Sequence, residues 1–248
     1  MPLVQPVDLV PTAEVGPVHF IAIGGAGMSG IAQAYADLGL EVSGSDRDDS
    51  AALRKLAAAG VRTHVGHDAA QLGDARTVVV SSAIKPGNPE LDEAHRRGLR
   101  VWHRSAALGA LMLGRRGVAI TGTHGKTTTT GMVATMLTRL GTDPGYVIGS
   151  PLATTGESAA LGTGEAFVVE ADESDGSFLQ YPAQVVVITN IEADHLDNWG
   201  TPAAYVDGFV RLGSAEGVEV VVMTADEPVS REVADTLRGL GRTVVTYG

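Results

Sequence analysis

The chain has 248 residues and no cysteine, and its 29 acidic against 18 basic side chains give a formal net charge of −11. Without cysteine there are no disulfides, thiolate nucleophiles or thiolate-bound zinc and iron–sulfur centres. The acidity and the lack of any Lys/Arg stripe argue against a nucleic-acid partner.

The start of the chain carries no basic segment followed by an apolar stretch, and nowhere do about 18 apolar residues run together. The expectation is a cytoplasmic protein with no membrane partner. A hydrophobic content of 44% with 19% charged residues supports a folded core.

Short Val/Ile runs alternate with Ala/Leu-rich stretches, the pattern of parallel strands joined by helices. In chain order, the pattern predicts a strand over residues 19–23, a glycine turn, a helix over 28–38 and a strand over 41–44. A helix over 51–59, strands over 62–65 and 77–80, a helix over 89–97 and a strand over 100–102 follow. After a helix over 105–113, the polar Gly114-Arg115-Arg116-Gly117 reads as a hinge between two domains.

A strand over 118–121 then leads through a second glycine turn into a helix over 126–140, stopped by Gly141. Further strands are expected over 166–170, 184–189, 219–223 and 243–246. The predicted fold class is α/β. A Rossmann-like parallel-sheet domain over residues 1–114 is followed by a P-loop-type α/β ATPase domain over 115–248 that is expected to be truncated.

Gly25-Ala26-Gly27-Met28-Ser29-Gly30 fits G-x-G-x-x-G between a strand and a helix, where glycines let the backbone approach a pyrophosphate. Asp46 lies 21 positions after Gly25, where an acidic side chain usually meets a ribose hydroxyl, so this pair alone suggests NAD. A plain strand-to-helix turn, with Asp46 as a cap, uses the same residues. Ser45 with Asp46, and Ser82 within Ser81-Ser82-Ala83-Ile84, follow strands and are candidate nucleoside contacts. Turn-forming polarity explains the latter serines equally well.

The second loop joins Gly122, Thr123, His124, Gly125, Lys126, Thr127 and Thr128 in the order that phosphate binding needs. Two residues rather than four separate its glycines. Backbone N–H groups and the helix N-terminus would hold phosphate oxygens, Lys126 would reach the terminal phosphate, and Thr127 could ligate Mg²⁺.

Glu170-Ala171-Asp172-Glu173-Ser174-Asp175 ends a strand and offers hard oxygen ligands for Mg²⁺, with Glu170 the candidate flush with the strand end. Such acidic runs are also common as solvated loops. Asn190-Ile191-Glu192-Ala193-Asp194-His195 repeats the arrangement, so His195 is either a ligand or acid–base group or an ordinary packing histidine.

With these residues in place the sequence resembles the Mur ligases, which build the peptide of bacterial cell-wall precursors. The resemblance rests on residues 19–32, Gly44-Ser45-Asp46, residues 81–84, 121–130, 170–179 and 189–197, and it points to the branch that adds L-alanine.

It implies that ATP phosphorylates the carboxylate of UDP-N-acetylmuramate, and that the amine of L-alanine attacks the resulting acyl phosphate. The residue-25 loop (Gly25, Ala26, Gly27, Met28) would grip the UDP diphosphate. Lys126 would stabilise the transferring phosphoryl group, Thr127 and Glu170 would hold one Mg²⁺, and His195 a second. An NAD-dependent dehydrogenase and a non-catalytic nucleotide-binding module are the alternatives.

Family members run well beyond this length, with adenine and amino-acid contacts expected further on. A chain of this length is therefore expected to bind the UDP-sugar but form no product alone. Some relatives use a carbamylated lysine at the second metal. The residues after His195 offer no lysine, and no such group is assigned.

Overall fold

The alternation of apolar strands and small-residue helices produces two parallel sheets. The computed structural model describes residues 3–248. Two compact units result, one of residues 8–111 with 158–161, the other of residues 3–7, 112–157 and 162–248.

The first unit runs β1 (Val18–Ile21), α1 (Ala26–Asp37), β2 (Val42–Asp46), α2 (Ala51–Ala58), β3 (Arg62–Val65), β4 (Thr77–Val80), α3 (Pro89–Arg96), β5 (Arg100–His103) and α4 (Arg104–Met112). Its strands lie in the order β3-β2-β1-β4-β5, every pairing parallel. The order reverses between β1 and β4, the switch point at which open α/β sheets leave a crevice beyond their carboxyl ends.

Phe20, Ile21, Ile31, Tyr35 and Leu72 are buried to 1% exposure or less, each contributing roughly 1.5–3 kcal/mol. Phe20 and Tyr35 meet edge to face at 5.8 Å, and the Tyr35 hydroxyl donates to the Ala107 carbonyl at 2.9 Å.

Helix starts follow their caps. The Ser50 side chain accepts from Leu53 N–H, and that of Asn88 from Glu90 and Leu91 N–H just ahead of Pro89. Several boundaries differ from expectation by one or two residues, β2 at Val42–Asp46 among them, and two of these shape the glycine turn. β1 stops at Ile21 because Ala22 turns into the left-handed region (φ 61°), and α1 starts at Ala26, two residues early, so that Gly27, Met28 and Gly30 are helical.

The second unit contains β6 (Arg116–Thr121), α5 (Lys126–Arg139), β7 (Gly145–Val147), β9 (Ala166–Glu170), β10 (Val185–Ile188), α6 (Leu196–Trp199), α7 (Pro202–Gly213), β11 (Val220–Thr224), α8 (Pro228–Gly239) and β12 (Thr243–Tyr247). The two-residue β8 (Ala159–Ala160) groups with the first unit. There a Cβ on Gly30 would come within 3.1 Å of the Ala159 side chain, so the third glycine of the fingerprint allows close packing on α1.

β12-β11-β10-β6-β9-β7 are parallel neighbours throughout. Only the first two residues of the polar segment 114–117 lie outside the sheet. Gly114 makes the turn (φ +76°), and Arg116 and Gly117 already belong to β6, their N–H groups donating to the Glu165 carbonyl and the Gln184 side chain.

Helices α6, α7 and α8 were not among the expected elements, although Thr201-Pro202 caps α7 by the Thr-then-Pro rule. Phe178, Trp199, Tyr205 and Phe209 pack edge to face beneath them, with centroids 5.2–6.0 Å apart. No helix among the described residues is long and apolar enough to cross a membrane.

Candidate functional site

In the second unit, β6 is the strand from which the chain departs to both sides, to β7 by way of α5 and later to β10. The loops after β6, β9 and β10 therefore meet at one sheet edge.

The first of these loops adopts its shape because two positions have the left-handed backbone that favours glycine, and one of them is also too crowded for a side chain. Gly122 has φ +127°, and a Cβ there would overlap the Thr189 hydroxyl and stand 2.9–3.0 Å from the Asn190 backbone. Gly125 caps α5 in the left-handed conformation at φ +80°.

The loop is fastened to the end of β10. His124 N–H donates to Asn190 Oδ1 (2.9 Å) and Thr123 N–H to the Asn190 carbonyl (3.2 Å). The His124 carbonyl accepts from both Thr189 Oγ1 (2.6 Å) and Asn190 Nδ2 (2.9 Å). The first N–H groups of α5, on Lys126, Thr127 and Thr128, have no intrahelical acceptor by helix geometry, which leaves them open to an anion.

Around the loop lie the carboxylates. Thr127 Oγ1 donates to Glu170 Oε1 at 2.8 Å, and the other Glu170 oxygen accepts from Gly149 N–H at 2.7 Å. Lys126 Nζ donates to the carbonyls of Gly122 (2.7 Å) and Thr123 (3.2 Å) and pairs with Glu173 Oε2 at 2.8 Å.

Glu173 is fully buried. Burial raises its carboxyl above the usual range, against the lowering effect of the Lys126 ammonium. Its backbone carbonyl accepts from Trp199 Nε1 (2.9 Å), and Asn198 Nδ2 holds the next carbonyl, that of Ser174, at 2.9 Å. Short α6 thus fixes the loop after β9.

His195 sits in the left-handed region (φ 52°), with Nε2 at 4.0 Å from Glu173 Oε1 and 3.7 Å from Asp194 Oδ2. Among the described residues no three His, Asp or Glu side chains gather as a metal cage.

The first unit has its own cavity of 530 Å³ at the switch point, lined by Gly25, Asp46, Arg47, His67 and residues 83–88. The N-terminus of α1 and the Lys85 and Arg47 side chains supply positive potential there. Asp46 Oδ2 accepts the Gly24 N–H at 2.9 Å, so this carboxylate also shapes the glycine turn.

Ser45 is fully buried and donates to Glu90 Oε2 at 2.6 Å. Glu90, also buried, is shared by His19 (3.1 Å) and His67 (2.8 Å). Burial favours its neutral form, but the hydrogen bonds from His19, Ser45 and His67 outweigh this and lower its pKa. Ser82 Oγ is hydrogen-bonded with His103 Nε2 at 3.1 Å.

The structure brings Gly122, Thr123, His124, Gly125, Lys126, Thr127, Thr128 and Glu170 to one sheet edge, with His195 beside Glu173. It lines the other cavity with Gly25 and Asp46, starts α1 with Ala26, Gly27 and Met28, and commits Ser45 and Ser82 to protein partners. Sequence reasoning gave no role to Thr189 and Asn190, although both lie in the 189–197 motif, and passed over Tyr205, Glu90 and His67. His67 and Asn190 follow strands, and that position was the available signal.

Two family models match the chain: the catalytic domain of the Mur ligase family over residues 17–116 and the Mur ligase middle domain over residues 120–248. A UDP-N-acetylmuramate–L-alanine ligase of Cutibacterium acnes is 69% identical over all of this chain and 53% of its own length. One from Thermobifida fusca is 55% identical over all of this chain and 52% of its own. The chain thus spans about half the length of the curated relatives it matches.

Among solved structures, the UDP-N-acetylmuramate:L-alanyl-gamma-D-glutamyl-meso-diaminopimelate ligase of Neisseria meningitides is similar with a TM-score of 0.85 at 29% identity. The match covers 94% of this chain and 78% of that one. The UDP-N-acetylmuramate-alanine ligase of Thermotoga maritima matches with a TM-score of 0.78 at 29% identity, over 88% and 51%. Both sheets, both loops and both domain matches agree: the chain belongs to the Mur ligase family.

Proposed function

We propose that this chain carries the UDP-sugar and ATP sites of a ligase that joins L-alanine to the carboxylate of UDP-N-acetylmuramate. The observation that carries the reading is the phosphate loop of the second unit, where Lys126, the open end of α5 and the Thr127–Glu170 pair share one edge. The names of the relatives support the substrate pair.

The donors fit a magnesium ion. Thr127 Oγ1 and Glu170 Oε1, a hydroxyl and a carboxylate hydrogen-bonded at 2.8 Å, are hard oxygen donors of the kind Mg²⁺ takes and would hold it. Mg²⁺ when bound would neutralise charge on the ATP phosphates. His195, with its imidazole near Glu173 and Asp194, is the candidate for a second ion.

Lys126 and the α5 N–H groups would hold the terminal phosphoryl group through transfer. A carboxylate oxygen of the sugar bonds to phosphorus as ADP leaves. The alanine amine then attacks the acyl carbon, sheds a proton and expels phosphate. In the first unit, Gly25, Ala26, Gly27 and Met28 at the start of α1 would meet the UDP diphosphate, and Asp46 the nucleoside, along the cavity that Lys85 and Arg47 border.

Calorimetric titration tests the reading. Wild type is expected to bind ATP with Mg²⁺ and, separately, UDP-N-acetylmuramate. Lys126→Ala should weaken ATP at least tenfold while leaving the UDP-sugar unchanged. Binding of NADH with no binding of UDP-N-acetylmuramate would overturn it.

A further inference from the structure

The sequence singled out Lys126 as a phosphate ligand, yet each of the three ammonium protons already has an acceptor within reach. These are the Gly122 carbonyl at 2.7 Å, the Thr123 carbonyl at 3.2 Å and Glu173 Oε2 at 2.8 Å. A terminal phosphate must therefore displace one of them. The carbonyls belong to the loop itself and move with it. Glu173 belongs to the next loop and is the one anion of the three, so a phosphate oxygen can take its place charge for charge.

The surroundings of Glu173 fit such an exchange. Its side chain is fully buried, and the Lys126 ammonium at 2.8 Å is the main compensation for its charge. A second partner stands close by: His195 Nε2 lies 4.0 Å from the other carboxylate oxygen, Glu173 Oε1.

We propose that Glu173 is a positioning residue for the phosphate-loop lysine. It clasps Lys126 when no phosphate is present and releases it to an incoming terminal phosphate, and so sets how ATP is held relative to nucleotides with fewer phosphates. The proposal rests on the reading of this loop as an ATP site. The ion-pair energy of the empty loop is subtracted from the affinity for the phosphate that reaches Lys126, and from no other.

The test is Glu173→Gln, titrated with ATP, ADP and AMP, together with a brief pulse of an amine-acylating reagent read at Lys126 by mass spectrometry without nucleotide. The expected result is about tenfold tighter ATP, AMP affinity unchanged within about twofold, and at least a threefold rise in Lys126 acylation.

ATP affinity unchanged or weaker in the folded variant, an equal gain for AMP, or unchanged acylation of Lys126 would overturn the clasp. Should Glu173→Gln not fold, Glu173→Asp decides. Its shorter carboxylate loosens the pair, so a smaller ATP-selective gain supports the proposal and no gain refutes it. A wild-type chain that binds no ATP would instead sink the ligase reading, whereas ATP binding without a Glu173 effect would sink only the clasp.

Discussion

Replacing Gly122 by alanine should cost far more than the same change at Gly125, three residues on. Both have positive φ, +127° and +80°, but only Gly122 is crowded. For Gly125 the penalty is the left-handed strain of an L-residue, about 1–2 kcal/mol, since nothing lies within 4 Å of a Cβ there.

For Gly122 the φ/ψ strain is roughly 1–3 kcal/mol, and the new methyl overlaps the Thr189 hydroxyl. The end of β10 must then retreat. Retreat loosens the hydrogen bonds from Thr189 and Asn190 to the His124 carbonyl and from His124 N–H to Asn190, at about 1 kcal/mol each. The sum is about 4–6 kcal/mol, so the two variants should differ by about 2 kcal/mol or more.

Urea unfolding checks this, followed by Trp199 fluorescence in a Trp102→Phe background so that the second unit alone reports. ATP titration of the same proteins should show Gly122→Ala with the greater loss of affinity. Equal destabilisation of the two variants would refute the crowding argument.

Two further outcomes follow from the first unit. The folded-state pKa of Glu90 is lowered below the usual 4.5, so its charged form contributes stability that is present above about pH 4.5 and lost as pH falls through the depressed value. Glu90→Gln should be clearly less stable than wild type at pH 7, with a gap in urea midpoint that narrows on acidification below pH 4.5; a gap that widens would contradict the sign. Ala22→Gly removes a left-handed alanine, worth about 1–2 kcal/mol, against about 0.4–1 kcal/mol of added unfolded-state entropy. A net gain of up to about 1.6 kcal/mol is expected in urea unfolding, and a loss would show that the methyl group packs usefully.

Much of this protein could be read from local sequence. Strand-turn-helix units are short, and their signals, such as an apolar run, a glycine pair and a lysine at the helix start, lie within about ten residues of each other. Hence β4 over Thr77–Val80 and β9 over Ala166–Glu170 fall where periodicity puts them, and Lys126, Thr127 and Glu170 could be singled out before any coordinates. Helices α6 to α8 lie among Val-rich strands whose runs dominate the local pattern, although the Thr201 cap and Pro202 of α7 are legible in the sequence.

What the sequence alone determined is the chemistry available: two glycine loops, a lysine, hydroxyls and strand-end carboxylates in an α/β order. Which carboxylate meets which partner was decided only by the tertiary structure. Among Glu170, Asp172, Glu173 and Asp175, spacing cannot show that Glu170 turns to Thr127 while Glu173 is buried against Lys126. Those contacts depend on β9 lying beside β6 and on Trp199, 26 residues away, gripping the Glu173 carbonyl. Likewise, Ser45 follows the strand pattern of a ligand contact, and only folding shows its hydroxyl turned inward to Glu90, 45 residues along the chain. Burial and pairing are properties of neighbours brought together across the sheet, and a local pattern carries no record of them.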